Sequence, residues 1–225
     1  MTWANTTKAV LWMAFMGGLL FCSAGTLAWT GGWIFLAEMI LGSVASMLWL
    51  QRHDPGLLQE RLGGPIQKGQ VFWDKLFMAG MILIWYGWLA LMGFDVGRWG
   101  ISHAPVWVTV AGAALIPAGF LAVLRTFREN SFAAPVIKIQ KERGQKVIDT
   151  GPYAVVRHPM YAGALLYMLG TPLVLGSFIG LAVLPIVVAY LIMRIFIEER
   201  ALKRELPGYS GYAARVRYRL VPHVW

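Results

Sequence analysis

Six long apolar stretches, separated by polar segments, dominate the hydropathy pattern of this chain. They cover residues 9–29, 33–50, 76–94, 105–124, 159–177 and 178–197. Each has roughly the ~20 apolar residues that a helix needs to cross a hydrocarbon core of ~30 Å. With 58% hydrophobic and 14% charged residues, the chain has too few polar side chains to cover a soluble globule. The pattern predicts an all-α, polytopic membrane helix bundle with about six transmembrane helices, five being the alternative.

The first stretch also has one property of a signal peptide, because the basic residue Lys8 precedes it. It is too long for a typical signal h-region, and Phe21 stands before Cys22 where a lipoprotein signal has a small residue. We predict a retained helix with Cys22 as a small buried apolar side chain. A single cysteine allows neither an internal disulfide nor a cysteine cluster for a metal, and we predict no metal site.

Basic residues indicate the orientation of the bundle. Of the 20 lysine and arginine residues, all except Arg98 fall on one side of the membrane if the six stretches span it. The positive-inside rule then places the N-terminus, the two long loops and the C-terminal tail in the cytoplasm, at the inner membrane if the source is prokaryotic. A net charge of +9 is explained by contacts of these loops with anionic lipid head groups. We therefore expect a membrane lipid partner and no nucleic acid.

The charge pattern divides the chain into two parts. Residues 1–124 carry four predicted transmembrane helices with short connections, and residues 125–225 combine a loop, a helical hairpin and a charged tail, where we expect the function. In the first part, Glu38 is either a functional intramembrane carboxylate or, as we favour, a side chain that reaches water at the outer interface. Asp54-Pro55-Gly56 predicts a turn, followed by a short amphipathic helix over 57–62 on the membrane surface.

The loop of the second part has a different pattern. β-branched residues alternate over 136–140 and recur over 146–148, with a turn at Arg143-Gly144 between them, which predicts a small extended pair. Arg157-His158-Pro159 follows at the mouth of the fifth helix, where Pro159 suits the first turn. The Arg-His pair is either a snorkelling anchor or part of a site for anionic groups at the helix N-terminus.

The helical hairpin returns the chain to the same face. Pro172 and Pro185 are expected to break the fifth and sixth helices, and the glycines of 176–180 to form the bend between them. The tail that follows delivers two carboxylates, two tyrosines and several arginines beside His158: Glu198, Glu199, Tyr209, Tyr212, Arg215, Arg217 and Arg219. Salt bridges between helices are the alternative explanation of Glu198, Arg200 and Lys203.

Two segments of the second part carry a family resemblance. GPYAVVRHPMYAG at 151–163, followed after the hairpin by IEERALKRELPGYSGYAARVRYRLVP at 197–222, resembles the C-terminal signature of the isoprenylcysteine carboxyl methyltransferase family. That family shares its core with the phospholipid N-methyltransferases. The resemblance implies an S-adenosylmethionine-dependent methyltransferase whose cofactor lies between the loop, the hairpin and the tail.

The resemblance also implies roles for individual residues. The residues implied in cofactor binding are Gln145, Val147, Ile148, Tyr153, Arg157, His158, Pro159, Tyr161, Gly163, Glu198 and Glu199. The residues implied in catalysis are Arg215, which would bind a substrate carboxylate, together with Glu199 and Tyr212. Relatives commonly have His at Gln145, and the segment 206–209 departs from that of the prenylcysteine enzymes.

The implied chemistry agrees with such a site. Methyl transfer from a sulfonium to an anionic acceptor neutralises charge, so a water-poor pocket favours it, and tyrosine faces can bind the sulfonium by cation–π contact. The expected acceptor is a lipophilic small molecule: an isoprenylcysteine-like carboxylate, a thiol or a lipid amine. Gly163, Gly170 and Gly176 either admit it sideways from the bilayer or, as we favour, serve close helix packing. Two alternative classes are an NADPH-dependent membrane reductase of related core and a non-enzymatic membrane lipid-binding protein.

Overall fold

The computed structural model of this chain is built from α-helices. It describes residues 3–225, without the side chains of residues 3–6, 8 and 9, so the side chain of Lys8 lies outside the described residues. The α-helices are α1 Trp3–Ala24, α2 Thr30–His53, α3 Pro55–Leu62, α4 Phe72–Gly93, α5 Val106–Glu129, α6 Pro159–Leu175, α7 Phe178–Glu205 and α8 Tyr209–Arg215. A π-helix, Phe94–Trp99, extends α4, and two 3₁₀ turns are Lys141–Arg143 and Gly151–Ala154. The all-α fold class is confirmed.

Membrane-length helices form most of the structure. Within the described residues, four helices are long and apolar enough to cross a membrane, namely Thr30–His53, Phe72–Trp99, Val106–Glu129 and Phe178–Glu205. Two further apolar helices are shorter, Val10–Ala24 and Pro159–Leu175. These six elements correspond to the six apolar stretches, and the predicted membrane helix bundle is confirmed.

The chain forms two compact units, which both draw on several helices. Unit 1 contains residues up to Ala45, Ile82–Ala118 and Leu166–Val187, and unit 2 contains Ser46–Met81, Gly119–Leu165 and Val188–Trp225. Each unit therefore takes segments from both sides of residue 124. The functional division of the chain at that residue stays a prediction.

Unit 1 contains a polar cluster beside its apolar core. The Asp95 carboxylate, in the π-helix, is 0% exposed and accepts hydrogen bonds from the Ser102 amide and hydroxyl, the Ser177 hydroxyl and the Ile179 amide. Ser177 lies in the bend between α6 and α7, where Gly176 has a φ of +75°, a conformation that strongly favours glycine. The cluster joins that bend to the end of α4, and the predicted hairpin is confirmed.

Three local predictions were wrong in unit 1. Helices α6 and α7 continue through Pro172 and Pro185, since membrane helices tolerate proline when neighbouring groups satisfy the freed carbonyls. Cys22 is exposed, in contrast to the predicted burial. A bundle whose solvent is hydrocarbon gains little from burying a small apolar side chain.

Unit 2 has two apolar clusters. Leu50, Leu57, Phe127 and Ala133 pack where α3 meets α5, and the Asp54 side chain caps α3 by accepting from the Leu57 amide at 2.9 Å. The predicted short helix after α2 is present, but it begins at Pro55 and not at Leu57, so Pro55 and Gly56 belong to the helix and the predicted turn over them was wrong. The second cluster joins the end of α7 to α8 through Leu206, Tyr209, Tyr212 and Val216.

The predicted extended pair in unit 2 was wrong. Residues 136–140 and 146–148 form no strand, and a 3₁₀ turn over Lys141–Arg143 separates them. Their polar backbone groups bind elsewhere: the Ile137 amide donates to Asp74, and the Ile137 carbonyl accepts from the Val71 amide. Val136 and Ile137 are both buried, because this loop covers a cavity instead of presenting one face to solvent.

Candidate functional site

The site in unit 2 is organised by Arg157, which immediately precedes His158 and α6. Its buried guanidinium donates through Nε to Glu199 Oε1 at 2.7 Å. Its Nη1 lies 3.3, 2.7 and 3.0 Å from the carbonyl oxygens of Ala213, Val216 and Arg217. These carbonyls end α8, where a cation also interacts favourably with the helix dipole. Arg157 therefore ties the tail and α7 to the start of α6.

The Glu199 carboxylate is in contact with three side chains that are positively charged or can be protonated. Besides Arg157, its Oε1 lies 3.3 Å from His158 Nε2 and 3.3 Å from Arg219 Nε. Main-chain hydrogen bonds also join residues 157–158 to the tail. The Arg157 amide donates to the Tyr218 carbonyl and the His158 amide donates to the Arg219 carbonyl, both at 2.9 Å. Charge-assisted contacts of this kind are strong when buried. The side of the site formed by 157–158, Glu199 and the tail is thereby rigid.

A second buried ion pair holds the loop. In this pair, Nε of Arg194, a residue of α7, lies 3.2 Å from Oδ1 of Asp74 at the start of α4. The Nη2 atom of the same guanidinium donates to the carbonyl of Pro135. Asp74 Oδ2 accepts from the Ile137 amide at 2.7 Å and from the Gln70 amide group at 2.9 Å. The loop around 135–137 is thus fixed by side chains from two helices.

Between the loop, α6, α7 and α8 lies a cavity with about 780 Å³ of empty space, its open mouth included. The residues that line it are Asn130, Phe132, Ala133, Ala134, Val136, Ile137, Lys138, Gln145, Lys146, Val147, Ile148, Tyr153, Arg157, His158, Met160, Tyr161, Glu198, Leu202, Leu206, Tyr209 and Tyr212. The lining combines apolar, aromatic and charged side chains, so it offers partners to both the apolar and the polar parts of a small organic molecule.

Four tyrosines contribute hydroxyl groups around this cavity. Tyr161 donates to Glu198 Oε2 at 2.5 Å, and its ring stacks on His158 with centroids 5.5 Å apart. Tyr153 accepts from the Asn130 side-chain amide at 2.7 Å, and Tyr212 donates to the Tyr153 carbonyl at 2.8 Å. The Tyr209 hydroxyl has no hydrogen-bond partner within the described part of the chain.

Burial controls the charge state of the tyrosines outside the spanning helices. It raises the pKa of Tyr153, Tyr209 and Tyr212 above the ordinary value, and nearby carboxylates add to the increase. All three remain neutral at physiological pH. They are hydroxyl donors and acceptors with neutral aromatic faces, and they are poor bases or nucleophiles.

The structure brings most of the predicted site residues together. Those that line the cavity are Gln145, Val147, Ile148, Tyr153, Arg157, His158, Tyr161, Glu198 and Tyr212. Glu199 lies directly behind them, bound to Arg157 and His158.

Besides Glu199, three predicted residues lie outside the cavity lining. Pro159 begins α6. A Cβ on Gly163 would lie 3.0–3.1 Å from the side chains of Val123 and Ala122 and the Gly119 carbonyl, so this glycine allows α6 to pack on α5. Arg215 pairs with Asp149 at 2.7 Å and its side chain is 64% exposed.

Gly170 likewise lies where α6 and α5 approach each other closely. In unit 1, a Cβ on Gly170 would lie 2.9 Å from the Gly112 carbonyl and within 3.0 Å of side chains of α5. The space beside Gly163 and Gly170 is therefore filled by α5, which agrees with the packing role and leaves no room there for an acceptor. Glu38, also in unit 1, has one carboxylate oxygen that is buried without a partner among the described residues.

Sequence reasoning missed Asp74, Arg194 and Asn130. Asp74 stands just before the third apolar stretch and Arg194 near the end of the sixth, and the sequence analysis assigned neither of them to the site. The signal that was available is that Asp74 is an acid among basic loop residues. Asn130 gave no signal, because its partner Tyr153 is distant in sequence.

Comparisons with known proteins agree with this geometry. A family model described as phospholipid methyltransferase matches residues 107–207, which include every lining residue except Tyr209 and Tyr212. Protein-S-isoprenylcysteine O-methyltransferase B of Arabidopsis thaliana is 31% identical over 148 residues, covering 64% of this chain and 72% of the relative. The helices, the cavity and these similarities together show that the chain belongs to the isoprenylcysteine and phospholipid methyltransferase family of integral membrane enzymes.

Proposed function

We propose that this protein is an S-adenosylmethionine-dependent methyltransferase that binds its methyl donor in the cavity of unit 2 and methylates a lipophilic acceptor. The observation that carries the proposal is the cavity itself. It joins apolar walls, neutral tyrosines and the Glu198 carboxylate in the segment that matches the methyltransferase family.

The residues of the cavity fit this donor. S-adenosylmethionine, when bound, supplies a methyl group on a sulfonium cation. Tyr153 offers a neutral aromatic face for a cation, and Glu198 offers a carboxylate in the same lining, whereas the Tyr161 ring is already covered by His158 and Arg194. Val147 and Ile148 offer an apolar surface for adenine, with Gln145 as a polar neighbour.

The chain promotes the reaction mainly by orientation. Arg157 and Glu199 are engaged with each other and with the tail, so we assign them to positioning the walls. His158 and Tyr161 stack at the cavity edge and restrict where the two reactants can meet. Correct alignment of reacting groups can lower a barrier by about 7–11 kcal/mol.

The acceptor is proposed to be a small amphiphile with a carboxylate, thiol or amine head. The name of the Arabidopsis relative points to an isoprenylcysteine acceptor, and the description of the family points to a phospholipid. Arg215 remains our candidate for binding an anionic head, through a charge-assisted hydrogen bond. Assays with prenylcysteine analogues, phosphatidylethanolamine and simple thiols distinguish the head groups, and turnover only of a tail-free polar acceptor would contradict a lipophilic substrate.

The cavity and both termini are proposed to face the cytoplasm, because the basic residues predict that orientation. In a Cys22→Ser background, Ser131→Cys and His103→Cys place thiols at exposed positions of two loops. A membrane-impermeant thiol reagent is expected to label His103→Cys in intact cells and Ser131→Cys only after permeabilisation. The reverse labelling would overturn the orientation.

Ligand titration tests the donor. Isothermal titration of the full-length protein in detergent is expected to show binding of S-adenosylmethionine, and this ligand should raise the Tm through its affinity for the folded state. NADPH serves as the comparison ligand. Stabilisation by NADPH with no binding of S-adenosylmethionine would replace the proposed function by that of a reductase.

A further inference from the structure

A second concave surface of unit 2, here called the groove, lies on a different face of α7 from the cavity. It has about 1240 Å³ of empty space, its open mouth included. The residues that line it come from the start of α4, with the segment before it, and from the last turns of α7: Gly69, Val71, Phe72, Trp73, Ile197, Arg200, Ala201, Arg204 and Glu205. None of these residues belongs to the cavity lining.

The groove carries a positive charge that the protein itself does not neutralise. The Arg200 guanidinium has no ion pair or side-chain hydrogen bond within the described part of the chain. Arg204, one turn further along α7, is 68% exposed and binds Glu205 Oε1 through Nε and Nη2 at 3.2 and 2.5 Å. The carboxylate of the groove lining is thus already paired with one of the two arginines. The remaining charge favours an anion, and guanidinium groups match phosphate oxygens in geometry.

The other side of the groove is apolar and aromatic. Phe72 and Trp73 are 71% and 63% exposed, and their rings meet edge to face with centroids 5.6 Å apart. The apolar stretch of α4 begins at residue 76 and that of α7 ends at residue 197, so both helices reach the membrane surface at the groove. Aromatic side chains at this depth are typical of the membrane interface. A ligand with an anionic head and an apolar chain would satisfy both sides of the groove.

We propose that the groove binds an anionic phospholipid, with its phosphate on Arg200 and Arg204 and an acyl chain along Phe72 and Trp73. Basic side chains next to membrane helices attract anionic head groups in general. Here the unpaired Arg200 and the exposed aromatic pair lie in one concave surface, which allows a defined site. The site does not depend on which donor or acceptor the cavity binds.

The two walls of the groove also support the cavity. The Val71 amide donates to the Ile137 carbonyl at 2.9 Å, and Asp74 accepts from the Ile137 amide, while Ile137 lines the cavity. The same turns of α7 that carry Arg200 and Arg204 present Glu198 to the cavity. A ligand that binds both walls of the folded protein stabilises it. We therefore expect the lipid to raise the Tm.

The test measures lipid binding to the delipidated, full-length protein in detergent by native mass spectrometry and by Tm. The probe is phosphatidylglycerol, and phosphatidylcholine with the same acyl chains is the zwitterionic comparison. The wild type is expected to bind one phosphatidylglycerol at least about tenfold more tightly than phosphatidylcholine. Arg200→Gln combined with Arg204→Gln should remove this preference. Arg52→Gln combined with Arg125→Gln is the charge-matched control at exposed arginines of α2 and α5, and it should keep the preference.

A second pair of variants tests the acyl-chain contact. Trp73→Ala should weaken phosphatidylglycerol binding severalfold, because it removes apolar surface from the groove. Trp107→Ala, at a tryptophan of α5 that is 72% exposed and outside the groove lining, should leave the affinity unchanged. Both side chains are exposed, so the Tm of the lipid-free protein should stay the same in both variants.

Several outcomes would overturn the inference. Equal affinity for the two lipids, or equal loss in the charge-matched control, would show only general attraction of basic loops to lipid. Tighter binding of phosphatidylethanolamine would assign the groove to a zwitterionic head group with its amine on Glu205. Displacement of phosphatidylglycerol by a prenylcysteine analogue would assign the groove to the acceptor, and a stable dimer that excludes the lipid would make it a contact between two copies. Failure of the wild type to bind S-adenosylmethionine would contradict the proposed function alone.

Discussion

Unit 1 and unit 2 each bury a carboxylate, but the two carboxylates are satisfied differently. Asp95 in unit 1 accepts hydrogen bonds from neutral hydroxyls and amides, and it borders no cavity described here. Glu199 in unit 2 is 3% exposed and faces Arg157, His158 and Arg219. It lies behind a cavity whose wall contains the unpaired Tyr209 hydroxyl.

This difference separates polar groups that hold a fold from those that prepare a site. The Asp95 cluster is closed, because its donors and acceptor satisfy one another inside the protein. In unit 2, the donors of Arg157 are paired with Glu199 and with carbonyls of the tail. The Tyr209 hydroxyl in the cavity wall has no partner among the described residues, so part of the hydrogen-bonding capacity of the site is unused in the protein alone. Sites of this kind reduce the stability of the empty protein in exchange for binding.

Among the variants that distinguish the two buried carboxylates, Glu199→Ala should have the largest effect on stability and on donor binding. It leaves the buried Arg157 without its carboxylate partner, and breaking such a pair costs about 3–5 kcal/mol. The expected result is a large fall in Tm together with loss of donor binding, measured by thermal unfolding and titration. Glu205→Ala, at an exposed carboxylate at the end of α7, is the control. Normal Tm with lost binding would show that Glu199 contacts the ligand directly.

Asp95→Ala should separate stability from binding. It leaves several buried donors unpaired, at a cost of about 1–3 kcal/mol for such a group. We expect a lower Tm, while the Kd for S-adenosylmethionine measured well below the Tm stays within about twofold of wild type. Asp149→Ala, at an exposed carboxylate, controls for charge. A large change in Kd would show that the Asp95 cluster contributes to the site.

Asp74→Asn should lower both the Tm and the affinity for the donor, because it leaves the buried Arg194 without its carboxylate partner. The amide keeps the shape of the side chain, and its one oxygen can still accept from the Ile137 and Gln70 donors, which both bind Oδ2, but the ion pair with Arg194 at Oδ1 is lost. We expect a Kd for the donor about tenfold higher, equivalent to about 1.4 kcal/mol, because the loop at 135–137 is held less firmly. Asp74→Glu should restore part of the affinity. An unchanged Kd with a lower Tm would make the pair purely structural.

Arg215→Ala should have the smallest effect on stability. Its ion pair with Asp149 is exposed, and such pairs contribute about 1 kcal/mol or less. If Arg215 orients an anionic acceptor, the KM for that acceptor should rise severalfold while the donor Kd is unchanged. Steady-state kinetics with a prenylcysteine analogue measures this, and Arg217→Ala is the neighbouring control. Equal kinetics for both variants and wild type would remove Arg215 from the site.

Local patterns in the sequence were sufficient for the helices and for part of the site. Apolar stretches of membrane length predicted the six long apolar elements, and the pattern over 57–62 predicted α3 although the helix begins earlier, at Pro55, because these features depend on residues close in sequence. The Arg157-His158 and Glu198-Glu199 motifs located the segments that now line the cavity or lie behind it. Donor binding by these residues stays a prediction.

Local patterns failed where distant contacts decide the conformation. The β-branched residues over 136–140 suggested a strand, but Asp74 and Val71 take the Ile137 backbone groups. Pro172 suggested a helix break that membrane packing tolerates. Propensity is a weak signal in both cases, since the competing interaction comes from elsewhere in the chain.

By itself, the sequence determined the membrane class, the helices and the family motifs, since hydropathy and short motifs act over neighbouring residues. Only the tertiary structure decided that Arg157 is occupied by Glu199 and the tail, that Asp74 and Arg194 hold the loop, and that Tyr209 is left unpaired. The physical reason is that hydrogen bonds and ion pairs depend on distances of a few ångströms between groups far apart in sequence. Composition and spacing do not contain those distances.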